Sequence, residues 1–208
     1  MIQTRPSRET ILQALFVAIT GSIQTSFTAG LQINSKVLSN PSTTKGLFIG
    51  LPLFGTGIQD GATISTLSPL TMSLPATANV AQANLTTGFV YANRRIKKFT
   101  DSLPAPAFFL RSTTEDPVYE DAFQELTIKA EAFIVSNAGA DPEAIPETAL
   151  NNFLDALQSA MKPDEPTFTR YPIGGLVYWC RINGKIDKDT NDLGSQSIAA
   201  VDIEIIVP

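Results

Sequence analysis

Two stretches of the chain carry apolar residues at helical spacing. In the first, Ile11, Leu12, Leu15, Phe16 and Ile19 share one face, Ser7 stands where an N-cap side chain accepts from the first turn, and Glu9 lies at the positive end of the helix dipole. The second, over residues 147–161, sets Leu150, Phe153, Leu154, Leu157 and Met161 in a stripe that Pro163 terminates. Elsewhere in the second half the period drops to two. Leu126, Ile128, Ala130, Ala132 and Ile134 alternate with Thr127, Lys129, Glu131, Phe133 and Val135. Val201, Ile203, Ile205 and Val207 face away from Asp202 and Glu204. Residues 107–111, preceded by Pro104 and Pro106, form a short apolar strand. Residues 176–186 form another, joined to the last strand, 196–207, by a turn-rich hairpin over 187–194. The pattern predicts an α+β fold: an antiparallel β-sheet packed against two main helices.

Charge divides the chain further. Between residues 21 and 93 the only charged side chains are Lys36, Lys45 and Asp60, in a background of Ser, Thr, Gly and small apolar residues; ordinary charge density resumes at Arg94. Low charge with frequent turn residues predicts short strands, here 47–49, 62–65 and 70–74. The division expected is an α+β domain made of residues 1–20 and 94–208, interrupted by a small all-β module at 21–93 that projects outward without joining the core.

With 208 residues, 43% hydrophobic and 17% charged, the chain is long enough for a sizeable core, and its net charge of −5 speaks against a protein that coats nucleic acid. The apolar run after Arg5 and Arg8 is interrupted by Glu9 and Gln13, which favours a packed helix over an export signal, and no run reaches the length of a membrane span.

The stretch LPLFGTGIQDGATI, residues 51–64, approaches a dinucleotide fingerprint through Gly55, Gly57 and Gly61. Its spacing is one residue too long, it leads into β-branched Thr63 and Ile64 rather than a helix, and no acidic residue follows until Asp101. Turn glycines between strands are the expectation. With no histidine, a Ser-His-Asp or Cys-His arrangement is impossible, and the lone Cys180, mid-strand beside Trp179, reads as a buried inert thiol. The turn Asp187, Lys188, Asp189, Thr190, Asn191, Asp192 suggests calcium, but the loop positions that need Gly and Glu hold Asp192 and Ile198. Glu115, Asp116, Glu120 and Asp121, around Pro117, read as a polar loop. We therefore expect no catalytic residues, no cofactor and no metal.

Several segments carry a resemblance. RETILQALF, RRIKKFTDSLPAPAFFLR, LTIKAEA, LNNFLDALQSAMKPD, GGLVYWCRINGKI and the closing LGSQSIAAVDIEIIVP, in this order and spacing, resemble the tail-terminator proteins of long-tailed bacteriophages. STTKGLFIGLPLFGTGIQDGATIS and LTMSLPATA, within 39–85, are similar to a small β module recurring in phage tail and surface proteins. The resemblance implies a structural virion protein made in the bacterial host cytoplasm. It would form a six-membered ring that caps the tail tube, ends its growth and meets a head-completion or connector protein, with DNA passing through the lumen. The alternatives are another neck adaptor ring between head and tail, or a surface-binding decoration role carried by the module.

Two sets of residues are candidate contacts for such a ring. Arg94, Arg95, Lys97 and Lys98 form the one basic cluster. They are read first as a charged, edge-protecting strand start, then as a subunit contact with Asp187, Asp189 and Asp192 of a neighbour, and third as a DNA contact. Leu126, Ile128, Val201, Ile203 and Ile205 mark the two strands expected at the subunit interface, because a closed ring can satisfy exposed strand edges.

Overall fold

A computed structural model describes residues 6–95, 105–120, 123–137, 146–162, 172–193 and 196–207. The fold is α+β. Helix α1 (Arg8–Ser22) begins where its pattern predicts: the Ser7 hydroxyl accepts from the Thr10 amide at 3.1 Å, and Ile11, Leu12, Leu15 and Ile19 are buried. The following segment builds a three-stranded sheet of β1 (Ser26–Leu31), β5 (Val80–Thr87) and β2 (Leu53–Gly55), with β5 in the middle. Beside it lies the hairpin of β3 (Ile64–Leu67) and β4 (Leu70–Met72). Residues 47–49, expected as a strand, are not one: Leu47 is buried and Phe48 half-buried in a loop, and Ile49 is an exposed turn residue. The strands β1 and β5 went unpredicted because their buried sides mix apolar residues with small or polar ones, Phe27, Ala29 and Leu31 against Ala83, Leu85 and Thr87.

The larger sheet has the order β6-β7-β8-β10-β9, from β6 (Tyr91–Asn93), β7 (Ala107–Glu120), β8 (Phe123–Asn137), β9 (Trp179–Leu193) and β10 (Gln196–Val207). All neighbours are antiparallel except β6 and β7. Helix α2 (Pro146–Ala160) follows β8, and a single turn, α3 (Pro172–Gly175), leads into β9. The period of two orients the sheet: Leu126, Ile128, Ala130, Ala132 and Ile134 of β8 and Val201, Ile203, Ile205 and Val207 of β10 face the helices, all almost fully buried.

Three expectations need correction here. Glu115, Asp116 and Glu120 are not in a loop but in β7, opposite Ile128, Thr127 and Phe123, while Asp121 lies outside the described residues. Pro117 is tolerated there because β6 pairs only with Ala107–Phe109, so the rest of β7 is an edge strand among the described residues. The expected hairpin turn at 187–194 is mostly strand: Asp187 stands opposite Ala200 and Asp189 opposite Ile198, with register shifts absorbing the extra residues. Conversely, residues 176–178 precede β9 rather than belonging to it.

The segment 21–93 does not project as a passenger. One continuous core joins Phe27, Leu31, Leu51, Leu53, Met72 and Leu85 to α1, α2 and the larger sheet. A chain of rings crosses the supposed boundary. Phe48 meets Phe153 of α2 edge-on at 5.1 Å, Phe89 stacks on Phe153 at 5.1 Å and on Phe108 of β7 at 5.3 Å, and Phe16 of α1 lies 5.7 Å from Phe108. Polar bonds reinforce it. Across the boundary Asn152 of α2 donates its side-chain amide to the Ile49 carbonyl at 3.2 Å, while within the segment buried Thr87 donates to the Ile23 carbonyl at 3.1 Å and accepts from the Thr25 amide at 3.0 Å. Both ends of the expected insert fall inside the larger body, since α1 runs through Gly21 to Ser22 and β6 is a strand of the five-stranded sheet.

Candidate subunit-contact surfaces

The glycine stretch is the end of β2 and the turns that follow it. Gly55, Gly57 and Gly61 have φ of 153°, 85° and 83°, and the chain continues into β3 rather than a helix. At Gly57 an added Cβ would come within 3.0 Å of the Leu31 side chain, so the bare backbone is also needed for packing. Cys180 is buried on β9, and burial pushes its thiol up from 9.0 to about 12. Among the described residues, no three His, Cys, Asp or Glu side chains converge as a metal site would require.

Of the basic cluster, Arg94 and Arg95 are described, and Lys97 and Lys98 lie outside the described residues. The two arginines follow β6 at one side of the large sheet. Arg94 turns towards the helices, pairs with Glu9 of α1 and keeps its Nε buried without a partner. Its side chain helps line a shallow cleft of about 500 Å³ with Glu9, Gln13, Phe16, Ala92, Asn93 and Arg95. Arg95 is exposed, its backbone amide held by the Asn93 side chain at 2.8 Å. The acidic partners expected of a neighbour stand on the opposite border of the sheet. Asp187 and Asp189 sit on β9, Asp187 exposed and Asp189 half-buried. Asp192 is on the same strand, and its side chain lies outside the description. Within one chain the structure therefore separates the two charged sets.

The five apolar candidates are corrected. Leu126 and Ile128 belong to β8 and Val201, Ile203 and Ile205 to β10, and these two strands are the third and fourth of five, paired along both sides. Their side chains are at most 2% exposed and are spent on the helix-covered core. Neither their edges nor their apolar face is open to another subunit.

Among the described residues the open borders belong to β7 beyond Phe109 and to β9, and both are charged. On β7, Arg111 is followed by Glu115 and Asp116. On β9, Arg181 and Lys185 precede Asp187 and Asp189. Register ties the two borders together. The row Asn93, Phe109, Phe133, Ala200, Asp187 crosses the sheet at one level, and the row Asp116, Thr127, Ile206, Trp179 at another. The level of Glu115 and Asp116 on one border is thus that of Arg181 on the other, within one or two residues. Asp187 and Asp189 share theirs with the strand that delivers Arg94 and Arg95.

On the face away from the helices these charges are partly engaged. Arg111 reaches Glu131 at 2.5 Å and lies over Phe133, Lys129 reaches Asp116 at 3.1 Å, and Arg181 reaches Glu204 at 2.8 Å and lies over Trp179. These exposed pairs order the surface without fixing much energy. Tyr178 and Trp179, each 49% exposed, stand at the start of β9.

The sequence offered a signal for these borders that alternation obscured. Pro117, the bulge at Gly184 with φ of 101°, and exposed Lys185 are devices found on edge strands, whereas the cleanest alternation belongs to the inner strands. Compared with known proteins, the chain matches no family model and no curated protein.

Proposed function

We propose that this protein is a structural virion component that assembles with itself into a ring, six-membered in the tail-terminator reading, and closes the end of a phage tail tube. There it would stop tube growth and offer a surface to a head-completion protein. The observation that supports the reading is the sheet itself: a five-stranded layer whose two border strands are long and open on opposite sides among the described residues, two different surfaces that a closed ring of identical neighbours can use. The ordered sequence resemblance supports the choice of phage tail over other ring proteins. Passage of DNA through the lumen is part of the same proposal, with the protein ending in the virion.

Electron microscopy of the purified full chain, alone and mixed with assembled tail tubes, tests it. Six-fold rings that cap tube ends and halt further addition of tube subunits are expected. Twelve-fold rings that ignore tubes would move the assignment to a neck adaptor, and a persistent monomer that never gathers on tube ends overturns both.

A further inference from the structure

The two open borders of the large sheet carry charge gradients of opposite direction. Along the β6–β7 border the sequence of charges runs from Arg94, Arg95 and Arg111 to Glu115 and Asp116. Along the β9 border it runs from Asp189 and Asp187, with Lys188 between them turned to α2 and paired with Glu147, to Lys185 and Arg181. We propose that these borders are the two halves of one head-to-tail interface, the β9 border of each copy lying against the β6–β7 border of the next.

Neighbours that keep the same orientation preserve the levels set by hydrogen-bond register. Asp187 then stands level with Asn93, one and two residues from Arg94 and Arg95, while Arg181 stands two residues from the level of Asp116 on the face away from the helices; Glu115 is turned to α1 and paired with Arg8. Opposite signs meet at both ends of the contact, which fixes orientation as well as attraction. Lys185, on the bulge between, meets the Arg111 level and is an unfavourable placement. Among the described residues Arg95 and Asp187 make no ion pair, so this pair is available to a second copy without breaking an internal bond. The bulges of β9 and Pro117 of β7 limit backbone pairing between the borders, so side-chain charge carries the recognition. Because the two halves differ, the interface is heterologous and propagates around a ring rather than stopping at a dimer.

This interface rests on the ring reading, and the test separates the two. Arg95→Glu and Asp187→Lys variants of the full chain are compared with the parent by sedimentation velocity, with circular dichroism confirming their fold. Each reversal places like charges across every contact and should weaken self-association by on the order of tenfold. An equimolar mixture should recover assembly: where the two variants alternate, the introduced carboxylate of one faces the introduced ammonium of the other, and the next contact joins the unaltered Arg95 and Asp187. Raising salt from about 0.05 to about 0.5 M should weaken the parent and the mixture alike. A parent that stays monomeric overturns the ring reading and the interface together. A parent that forms rings while both variants assemble unchanged overturns the interface alone. So does a pair of impaired variants whose mixture fails to recover, or impairment of the Asp187→Lys variant alone, which is the result expected if β9 met β9 about a two-fold axis.

Discussion

Replacing Phe153 by alanine tests whether residues 21–93 are part of the core or cargo upon it. Phe153 is 1% exposed on α2 and is clamped between Phe48, edge-on, and Phe89, stacked, both from the supposed insert. Truncating a buried Phe costs about 3–5 kcal/mol, and each lost ring pair accounts for roughly 0.5–1.5 kcal/mol beyond its area, so the upper part of the range, about 4–5 kcal/mol, is expected. For a domain of this size each kcal/mol moves the melting temperature by roughly 2–4 °C, which gives a fall of about 8–20 °C. The assay is thermal unfolding followed separately by far-UV circular dichroism and by Trp179 fluorescence, with urea unfolding alongside. Both probes should move together in one transition. A double-mutant cycle between Phe48→Ala and Phe153→Ala should show coupling of about 0.5–1.5 kcal/mol. Two separate transitions, of which only one shifts, would refute a shared core and restore the module as an independent unit.

Other expectations follow from single features. Gly50→Ala places a Cβ 2.6 Å from that of Ala149 at a φ of 89°, so a loss of about 2–4 kcal/mol is expected by urea titration, against about 1 kcal/mol for Gly61→Ala, where φ is 83° and nothing lies within 4 Å. Ser136 and Ser197 are cross-strand partners, both buried with unpartnered hydroxyls. Changing both to alanine should leave stability unchanged or raise it by about 1 kcal/mol, and a loss of that size would contradict the assignment. The Cys180 thiol is held protonated in the fold, so the folded state binds more protons than the unfolded one between pH 9.0 and about 12. Stability should therefore be unaffected by this group below pH 9 and fall as pH rises above it, a slope that Cys180→Ala removes. In the native protein the same thiol should resist maleimide at neutral pH and react on unfolding.

How much was legible depended on whether a residue's neighbours in the fold are also its neighbours in the chain. Helix α1 could be read to its cap because Ser7, Glu9 and the apolar face interact within a few residues of one another. The α2 stripe and the inner strands β8 and β10 were equally plain, since burial on one side imposes a period on the sequence. The absence of histidine and the misfit of the glycine spacing to a dinucleotide loop are likewise properties of the chain itself.

Strand order is not such a property. Alternation marks β8 and β10 as half-buried but cannot say that they are each other's neighbours, and that pairing is what removes Leu126, Ile128, Val201, Ile203 and Ile205 from any outer surface. The charge drop after residue 20 was real in composition but misleading about architecture, because Phe48 and Phe89 find their partners in Phe153 of α2 and Phe108 of β7, beyond the end of the low-charge segment. The sequence alone determined the two main helices and the inner strands of the large sheet and excluded histidine-based chemistry. Only the tertiary structure decided which strands stand at the borders, and so set the basic and acidic groups on opposite sides of one sheet, because register and order arise from packing between segments that no local pattern encodes.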